Sequence, residues 1–406
     1  MNLAVFACDP ALSRGRRIAE AVAPTRSDFQ RDRDRIVHST AFRRLVYKTQ
    51  VFLNHEGDLF RTRLTHSLEV SQLGRSIART LRLNEDLVEA IALAHDLGHT
   101  PYGHAGQDAL NACLRQHNPQ SAGFEHNLQS LRVVDSLEER YPQFDGLNLT
   151  FETREGILKH CSKRNAQRIE AREPGGVAHR FLRQTATGQA SHQPSLEAQL
   201  ANLADEIAYN AHDMDDGVRS GLLSLEQLED VPLFSRYRRE TLGMYPALMG
   251  RRLLFETIRR MLSAQVYDVI DATGLAFENA APADVEGVRR HPGLVCFSSP
   301  MGLESAALKR FLLQNLYRHP QVVRTTQAAQ QVVRDLFEAY LADPAQMPQA
   351  HVDRFGGDEG AQVAPAKPER VVADYIAGMT DRFATKEHER LKGHAIFPQE
   401  PATGLC

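Results

Sequence analysis

The sequence contains no tryptophan, and it has no apolar run that approaches the roughly 20 residues needed to span a bilayer. Residues 1–10 include a short apolar patch, but no basic residues precede it, and the arginines begin only at Arg14. This order does not match a secretory signal. We therefore expect a cytoplasmic protein that has no membrane partner.

Cysteine is scarce and shows no pairing pattern. The five cysteines form no Cys-x-x-Cys motif and lie far apart, at Cys8, Cys113, Cys161, Cys296 and Cys406. An odd and scattered set is typical of reduced thiols in the cytosol. The pattern argues against a disulfide framework and against a thiolate-bound metal site.

The chain as a whole carries little net charge, since its formal value at pH 7 is −3. This argues against a protein whose entire surface binds polyanions. The segment from Arg14 to Lys48 is the exception, with ten basic residues against four acidic ones. It has three interpretations: a phosphate site, a contact with nucleic acid, or a solvated face with Arg–Asp pairs. The alternation of arginine and aspartate from Arg31 to Arg35 favours the last interpretation for part of the segment.

Hydrophobic residues recur at helical intervals along most of the chain, for example over 28–46. Thr65, Asn84 and Ser195 stand where N-cap residues would begin three further helices. Alternation typical of strands is scarce, and 293–298 is the best short candidate. We therefore predict an all-α fold.

The same pattern suggests how the chain is organised. Residues 1–25 lack clear periodicity, and we expect them to be partly mobile. A helical core follows over 26–220, and it contains a polar excursion or lid at 163–194. A second helical region covers 221–406 and includes a helix predicted over 368–390.

The segment that ends the third predicted helix holds the most chemistry. Three histidines and an aspartate (His95, Asp96, His99 and His104) lie within ten positions, interrupted by two glycines and a proline. Imidazole and carboxylate groups together are typical ligands of a divalent first-row metal ion, and they also serve in acid–base catalysis. The glycines and the proline indicate that the helix ends here, which lets these side chains converge.

Two distant residues can complete a ligand set. His66 lies near the start of the second predicted helix, and Asp205 lies among alanines on a later helix. A buried carboxylate is costly unless it is paired or bound to a metal ion. Taken alone, His66 is compatible with a structural role and Asp205 with an arginine partner. Their combination with His95 and Asp96 favours metal ligation.

Residues 95–99 are also similar to the His-Glu-x-x-His signature of zinc metalloproteases. However, aspartate replaces the catalytic glutamate. Gly98 and Pro101 would also end the helix that has to carry both histidines. We therefore disfavour a metalloprotease.

The spacing of His66, His95-Asp96 and Asp205 resembles the H…HD…D pattern of the HD phosphohydrolase superfamily. Within it, the chain is similar to the deoxyguanosinetriphosphate triphosphohydrolase-like family. The resemblance extends from about residue 26 to 390 through ten ordered stretches: FQRDRDR (29–35), AFRRL (41–45), YKTQV (47–51), RTRLTHSLE (61–69), AHDLGH (94–99), YGHAG (102–106), FEHN (124–127), NLADEIAYN (202–210), YRHP (317–320) and DYIAGMTDR (374–382). It implies an HD-domain helical core within 26–220 and an additional C-terminal helical region, 221–406, that completes the nucleotide site and makes oligomer contacts.

The resemblance also implies an activity, the hydrolysis of a dNTP to the deoxynucleoside and intact inorganic triphosphate. The family's metal ligands correspond to His66, His95, Asp96 and Asp205. Phosphate chemistry favours Mg²⁺ or Mn²⁺, although two histidines and two aspartates also suit iron, nickel or zinc.

Further site residues follow from the same motifs. His104 and His126 are expected to serve in acid–base catalysis or in orienting water, and His99 to ligate a second ion, bind phosphate or support the loop. Arg63 corresponds to a phosphate contact, because a charged planar fork suits a polyphosphate. The remaining matches lie around the nucleoside: Gln50, Val51, Tyr209, Asp213 and Tyr317.

One departure concerns the catalytic side of the site. Many bacterial members of the family have glutamate three residues after the position of His104, where this chain has Gln107. An amide cannot act as a base, although it can hold a water molecule. No motif here recognises the base of the nucleotide, so guanine preference does not follow.

The family resemblance also implies a homo-oligomer and raises a second, regulatory dNTP site. Two rival functions stay open. One is another HD phosphohydrolase activity, on a nucleoside monophosphate or on (p)ppGpp. The other is a nucleotide-binding or single-stranded nucleic-acid-binding regulator that has lost catalysis, with the basic N-terminal segment as its contact surface.

Overall fold

A computed structural model describes residues 2–50, 60–183, 192–355 and 367–397. It contains eighteen α-helices, and no strand occurs in these residues, which confirms the predicted all-α class. The short candidate strand at 293–298 does not form a strand. The side-chain oxygen of Gln199 accepts hydrogen bonds from the backbone N–H groups of Leu294 and Val295, so these donors do not pair with another strand.

The first half of the chain supplies nine helices. They are α1 (Asp28–Val37), α2 (Thr40–Arg44), α3 (Arg63–Leu81), α4 (Glu85–Ala94), α5 (Gly103–His117), α6 (His126–Arg132), α7 (Phe151–Ile157), α8 (Lys163–Glu170) and α9 (Leu196–Arg219). Helix α4 is buried on nearly every side, as its apolar sequence predicts, and it packs against α1, α3 and α9. At Gly74 of α3, a Cβ atom would lie 2.7 Å from the side chain of Val88. The missing side chain therefore allows α3 and α4 to approach closely.

Local signals place the ends of these helices well. The side chain of Asn84 accepts from the backbone of Leu87 and begins α4, and Ser195 begins α9 in the same way. Helix α3 begins three residues before the predicted position. Its N-cap is Thr62, and Thr65 completes the reciprocal capping box as the third residue of the helix.

The second half supplies α10 (Leu225–Leu228), α11 (Pro232–Met244), α12 (Gly250–Ala280), α13 (Val285–Arg290), α14 (Ser299–Leu312), α15 (Pro320–Ala342), α16 (Gln349–Val352), α17 (Pro368–Ala377) and α18 (Asp381–Lys392). The single helix predicted over 368–390 is thus two helices. The break falls at Gly378, which ends α17, and Thr380 begins α18 by accepting a hydrogen bond from the backbone of Phe383.

The C-terminal helices contact the loop that follows α4. The ammonium group of Lys48 is buried and donates to the carbonyl oxygens of His99 and Ala377, the latter at 2.7 Å. The carboxylate of Asp381 accepts from the backbone N–H groups of Thr49 and Tyr102, each at 2.9 Å. These contacts join three segments that are far apart in sequence.

The N-terminal segment and the polar excursion both contain ordered contacts. Arg16 pairs with the buried Asp32 at 2.5 Å and so attaches the first residues to α1. The excursion contains α8 and a short 3₁₀ turn, His179–Phe181. Among the residues described, no helix is both long and apolar enough to cross a membrane.

Candidate metal centre and active site

The chain turns sharply after α4, and this turn brings several polar side chains into one region. Tyr102 and Gly103 both have positive φ angles, of 61° and 57°, and α5 begins directly after them. At Gly98, an added Cβ would lie 2.1 Å from the backbone nitrogen of Ser130. Only glycine therefore fits where the loop passes α6. The turn lets His95 and Asp96 face one side of the site and His104 the other.

Four predicted metal ligands come together from three parts of the chain. One ligand atom from each of His66, His95 and Asp96 lies within 4.8 Å of the others. Asp205 Oδ1 lies 2.9 Å from His66 Nε2 and 3.5 Å from His95 Nε2. The structure thus groups these side chains; that they bind a metal ion stays a prediction.

The donor set fits a divalent cation. Nδ1 of His95 contacts the carbonyl oxygen of Ala92 at 2.6 Å, which orients the ring, while its buried Nε2 has no hydrogen-bond partner among the described residues. On an octahedral ion with bonds of about 2.0–2.1 Å, neighbouring ligand atoms lie about 3 Å apart. The separations are close to that value: 2.9 Å between His66 and Asp205, 3.3 Å between His95 and Asp96, and 3.5 Å between His95 and Asp205. These residues would therefore hold the ion with little movement.

The electrostatics of the site favour ionised carboxylates. Burial alone would raise the pKa of Asp96, but the neighbouring His95 and the guanidinium of Arg63 hold it well below its usual range. Burial opposes ionisation of Asp205 as well, and Lys159, followed by His95, outweighs it. Nζ of Lys159 lies 2.6 Å from Asp205 Oδ2.

Lys159 is a site residue that sequence reasoning missed. It follows the buried end of α7, and nothing in the local pattern distinguishes it from a surface lysine. Only the packing of α7 against α9 brings its ammonium group to Asp205.

A second group of histidines lies next to the ligand cluster. The rings of His99 and His126 are stacked, with centroids 4.0 Å apart and planes 16° from parallel. His104 stands edge-on to His126 at 5.6 Å, and its side chain is exposed to solvent. Nε2 of His99 lies 3.2 Å from Asp96 Oδ1, so His99 connects the two groups.

Gln107 fixes the orientation of His126. Its amide oxygen accepts from the backbone N–H of His126 at 2.9 Å and contacts the ring Nδ1 at 2.8 Å. An amide oxygen only accepts, so Nδ1 carries the hydrogen and Nε2 carries a lone pair. Burial lowers the pKa of His126 to about 3, and the positive charge of Arg63 acts in the same direction. The ring is therefore neutral near pH 7 and can accept a proton.

Arg63 is buried beside the ligand cluster. Its Nη1 lies 2.8 Å from Asp96 Oδ2, and its Nε has no hydrogen-bond partner within the described ranges. The guanidinium also borders the turn, since a Cβ at Gly103 would be 3.0 Å from Nη2. The phosphate contact expected of Arg63 stays a prediction, and its pairing with Asp96 is an additional role.

Aromatic and polar side chains form a third group along α9. Tyr209 and Tyr317 lie nearly parallel, with ring centroids 6.1 Å apart. Asp213 is fully buried next to Tyr209, and neither of its oxygens completes a hydrogen bond of normal geometry within the described part of the chain. Burial, and then the charge of Asp216, raise the pKa of Asp213 well above its ordinary value. The third group therefore contains one buried carboxyl, that of Asp213, which lacks a strong partner.

The remaining predicted nucleoside contacts are only partly covered by the structure. The side-chain oxygen of Gln50 is buried and also lacks a hydrogen-bond partner among the described residues. Val51 lies outside the described residues.

A buried His-His-Asp cluster at a helix end, faced by an aspartate from another helix, defines the class of HD-domain phosphohydrolases. In agreement, the sequence matches the HD domain over residues 63–210 and a phosphohydrolase-associated domain over residues 295–390. The chain is thus a hydrolase of the HD type.

Curated relatives identify the family. The chain is 60% identical to a deoxyguanosinetriphosphate triphosphohydrolase-like protein of Ralstonia nicotianae, over 96% of this chain and 94% of the relative. Identity is 58% to the protein of that name from Bordetella pertussis, over 96% of each chain. It is 54% to that from Nitrosomonas europaea, over 96% of this chain and 98% of the relative. The chain belongs to the deoxyguanosinetriphosphate triphosphohydrolase-like family.

Proposed function

We propose that this protein hydrolyses deoxynucleoside triphosphates to the deoxynucleoside and inorganic triphosphate. One observation carries the proposal. Asp205, beside the ligand cluster, and the pair Tyr209 and Asp213 lie on successive turns of the same helix, α9. A phosphate placed at the cluster would therefore have its sugar beside Tyr209 and Asp213. The relatives' names support the same reading, since they refer to a triphosphohydrolase.

The metal ligands would be His66, His95, Asp96 and Asp205. When bound, a divalent ion would polarise an oxygen of the α-phosphate and help to position water. We favour Mg²⁺ or Mn²⁺ on the ground of phosphate chemistry, while iron, nickel and zinc also suit this ligand set.

The residues around the cluster would carry the proton transfers. Water attacks the α-phosphorus, a new P–O bond forms, and the bond between phosphorus and the 5′ oxygen breaks. His126, with its lone pair on Nε2, would orient the water and accept its proton. His104 would then give a proton to the departing 5′ oxygen. Arg63 and Lys159 would neutralise charge on the phosphates, and His99 would hold the loop or bind phosphate.

The third group would bind the nucleoside. Asp213 would accept a hydrogen bond from a sugar hydroxyl, because its buried oxygens need a donor. Tyr209 and Tyr317 offer aromatic surfaces, while Gln50 and Val51 would test for the missing 2′-hydroxyl. None of these residues distinguishes one base from another, so we assign no base preference.

Product analysis tests the proposal. The purified protein is incubated with each dNTP, alone and mixed, in the presence of Mn²⁺ or Mg²⁺, and the products are separated by chromatography. The deoxynucleoside and intact triphosphate are expected in equal amounts. Release of phosphate or pyrophosphate would indicate another HD phosphohydrolase activity, and no turnover with any dNTP would contradict the proposal.

The Asp205→Ala variant tests the ligand set. It removes one ligand and leaves Lys159 without its partner, so we expect loss of bound metal and a fall in turnover of at least 100-fold. Full turnover with full metal content would show that Asp205 is not a ligand.

The proposal also covers the domain organisation, the oligomeric state and the partners of the protein. We place the HD core at 26–220 and a C-terminal region at 221–406, whose Ala377 and Asp381 support the site loop. We also propose a cytoplasmic homo-oligomer, in which a second dNTP is a candidate regulator. Binding of single-stranded nucleic acid has weaker support, because Arg16, Arg31 and Arg35 all pair with acidic residues.

A further inference from the structure

We propose that His212 and Glu69 position the metal ligand His66 by determining which of its ring nitrogens carries hydrogen. The inference rests on the metal site of the proposed function. His66 Nδ1 lies 3.1 Å from His212 Nδ1, and His212 Nε2 makes a short hydrogen bond to the carboxylate of Glu69. The three side chains form a continuous chain from the ligand cluster towards the surface.

Two helices build this chain by their regular spacing. His66 and Glu69 are three residues apart on α3, so they lie on one face of that helix. Asp205 and His212 are seven residues apart on α9, which is close to two full turns. Because α3 packs along α9, each helix contributes one ligand of the cluster and one supporting residue.

The carboxylate at the outer end fixes the direction of the hydrogen bonds. Glu69 accepts, so His212 Nε2 must carry a hydrogen. In a neutral imidazole, His212 Nδ1 then carries a lone pair, and it can only accept from His66 Nδ1–H. This leaves a lone pair on His66 Nε2, the nitrogen that faces the cluster. A metal ligand needs that lone pair.

The contact of His66 with Asp205 is compatible with this arrangement only when a metal ion is bound. His66 Nε2 lies 2.9 Å from Asp205 Oδ1. With a lone pair on each atom, this approach is unfavourable until a cation lies between them. In the opposite arrangement, His66 Nε2 would carry the hydrogen and could not bind a metal ion. That arrangement also requires hydrogens on both nitrogens of His212.

Glu69 is itself held in place. Arg61 Nε lies 3.5 Å from Glu69 Oε1, and Arg61 is anchored by Asp215 at 2.6 Å. His212 and Arg61 lower the pKa of Glu69 despite its partial burial. The Glu69 side chain is 41% exposed, so it can be replaced with little disturbance to the core.

Metal affinity tests the proposal directly. The full-length protein is stripped with a chelator, and the dissociation constant for Mn²⁺ is measured by the electron paramagnetic resonance signal of free Mn²⁺. We expect Glu69→Leu and His212→Phe to weaken Mn²⁺ binding by about 10- to 100-fold, the usual effect of removing a partner of a ligand. Glu69→Gln keeps an acceptor for His212, so it should retain more affinity than Glu69→Leu.

A matched control is available on α18, outside the ligand cluster. His388 is buried and contacts Asp335 at 2.8 Å, as His212 contacts Glu69. His388→Phe should leave the affinity for Mn²⁺ within about twofold of that of the wild type. Removing a residue that does support a metal ligand should instead weaken Mn²⁺ binding by about 10-fold or more. If Glu69→Leu and His212→Phe also bind Mn²⁺ as tightly as the wild type, the proposal is overturned. If the wild type itself binds no Mn²⁺, the proposed metal site fails, and this inference fails with it.

A second measurement separates positioning from general damage to the fold. Nitrogen-15 NMR of the imidazole groups in the protein loaded with diamagnetic Mg²⁺ reports which ring nitrogen carries hydrogen. We expect hydrogen on Nδ1 of His66 and on Nε2 of His212. In Glu69→Leu the preference for Nε2 should weaken at His212. Hydrogen on Nε2 of His66 in the wild type would overturn the proposal, even if metal binds.

Discussion

At the scale of single residues, Gln107 determines how His126 can act. Its oxygen accepts from Nδ1 and the backbone of His126, so the lone pair on Nε2 faces away from Gln107. A glutamate in its place would make the same contacts and add a negative charge. The amide thus preserves the geometry but leaves the pKa of His126 low, at about 3.

We therefore expect Gln107→Glu to change the pH dependence of dNTP turnover. The carboxylate favours the protonated imidazole, so the pKa of His126 should rise by about 1–3 units. In the proposed mechanism the neutral form of His126 is active, so the variant should lose activity at a higher pH than the wild type when the pH is lowered. The measurement is kcat from pH 4 to 9. Asn111→Asp, the same change one turn later on α5, should leave the profile unaltered. If kcat falls at the same low pH in Gln107→Glu and in the wild type, the role assigned to His126 is contradicted.

At the scale of elements, the contacts of Lys48 and Asp381 join the loop that follows α4 to α17 and α18. Both side chains are buried, and together they bind backbone groups of His99, Tyr102 and Ala377. Burial, and then the charge of Arg44, lower the pKa of Lys48 to about 7. An ordinary lysine has a pKa of about 10.4.

This difference has a consequence for stability. Between pH 7 and about 10, the folded protein binds fewer protons at Lys48 than the unfolded chain does, so the contribution of Lys48 to the free energy of unfolding increases with pH. The slope approaches about 1.4 kcal/mol per pH unit at most. Lys48→Met should remove it. Urea unfolding in chelator at several pH values between 7 and 9 measures the effect. The surface variant Lys392→Met should keep the wild-type slope, and an unchanged slope in Lys48→Met would show that Lys48 keeps an ordinary pKa.

At the scale of the whole molecule, the ligand cluster connects α3, the end of α4 and α9. A metal ion bound there would cross-link three helices of the core. Ligands that bind only the folded state stabilise it by mass action.

Metal removal should therefore destabilise the protein. At a free Mn²⁺ concentration of 100 times Kd, the free energy of unfolding should exceed that of the chelated protein by about 2.7 kcal/mol. Urea unfolding at fixed protein concentration, with Mn²⁺ or with chelator, measures this difference. In Asp205→Ala the two curves should coincide. A wild type that is indifferent to Mn²⁺ would argue against a structural link through the site.

Local features of the fold were predictable because their causes are local. Asn84 and Ser195 begin helices through hydrogen bonds within a single turn, and the nearly continuous apolar sequence of α4 indicates a buried helix. The break at Gly378 was missed, although Gly378 and the capping residue Thr380 are local signals of a helix end and a helix start. The start of α3 was misplaced since Thr62 and Thr65 are both good capping residues, and only the backbone decides between them.

The sequence by itself determined the class of fold, the family and the four candidate ligands. Residue types and their spacings carry that information, and both can be read directly from the sequence. The tertiary structure decided which side chains support those ligands. Lys159 meets Asp205, and His212 meets both His66 and Glu69, across separations of 46 to 146 residues. Such pairs depend on how α3, α7 and α9 pack, and a periodic pattern records which face of a helix is buried but not which residue of another helix lies opposite.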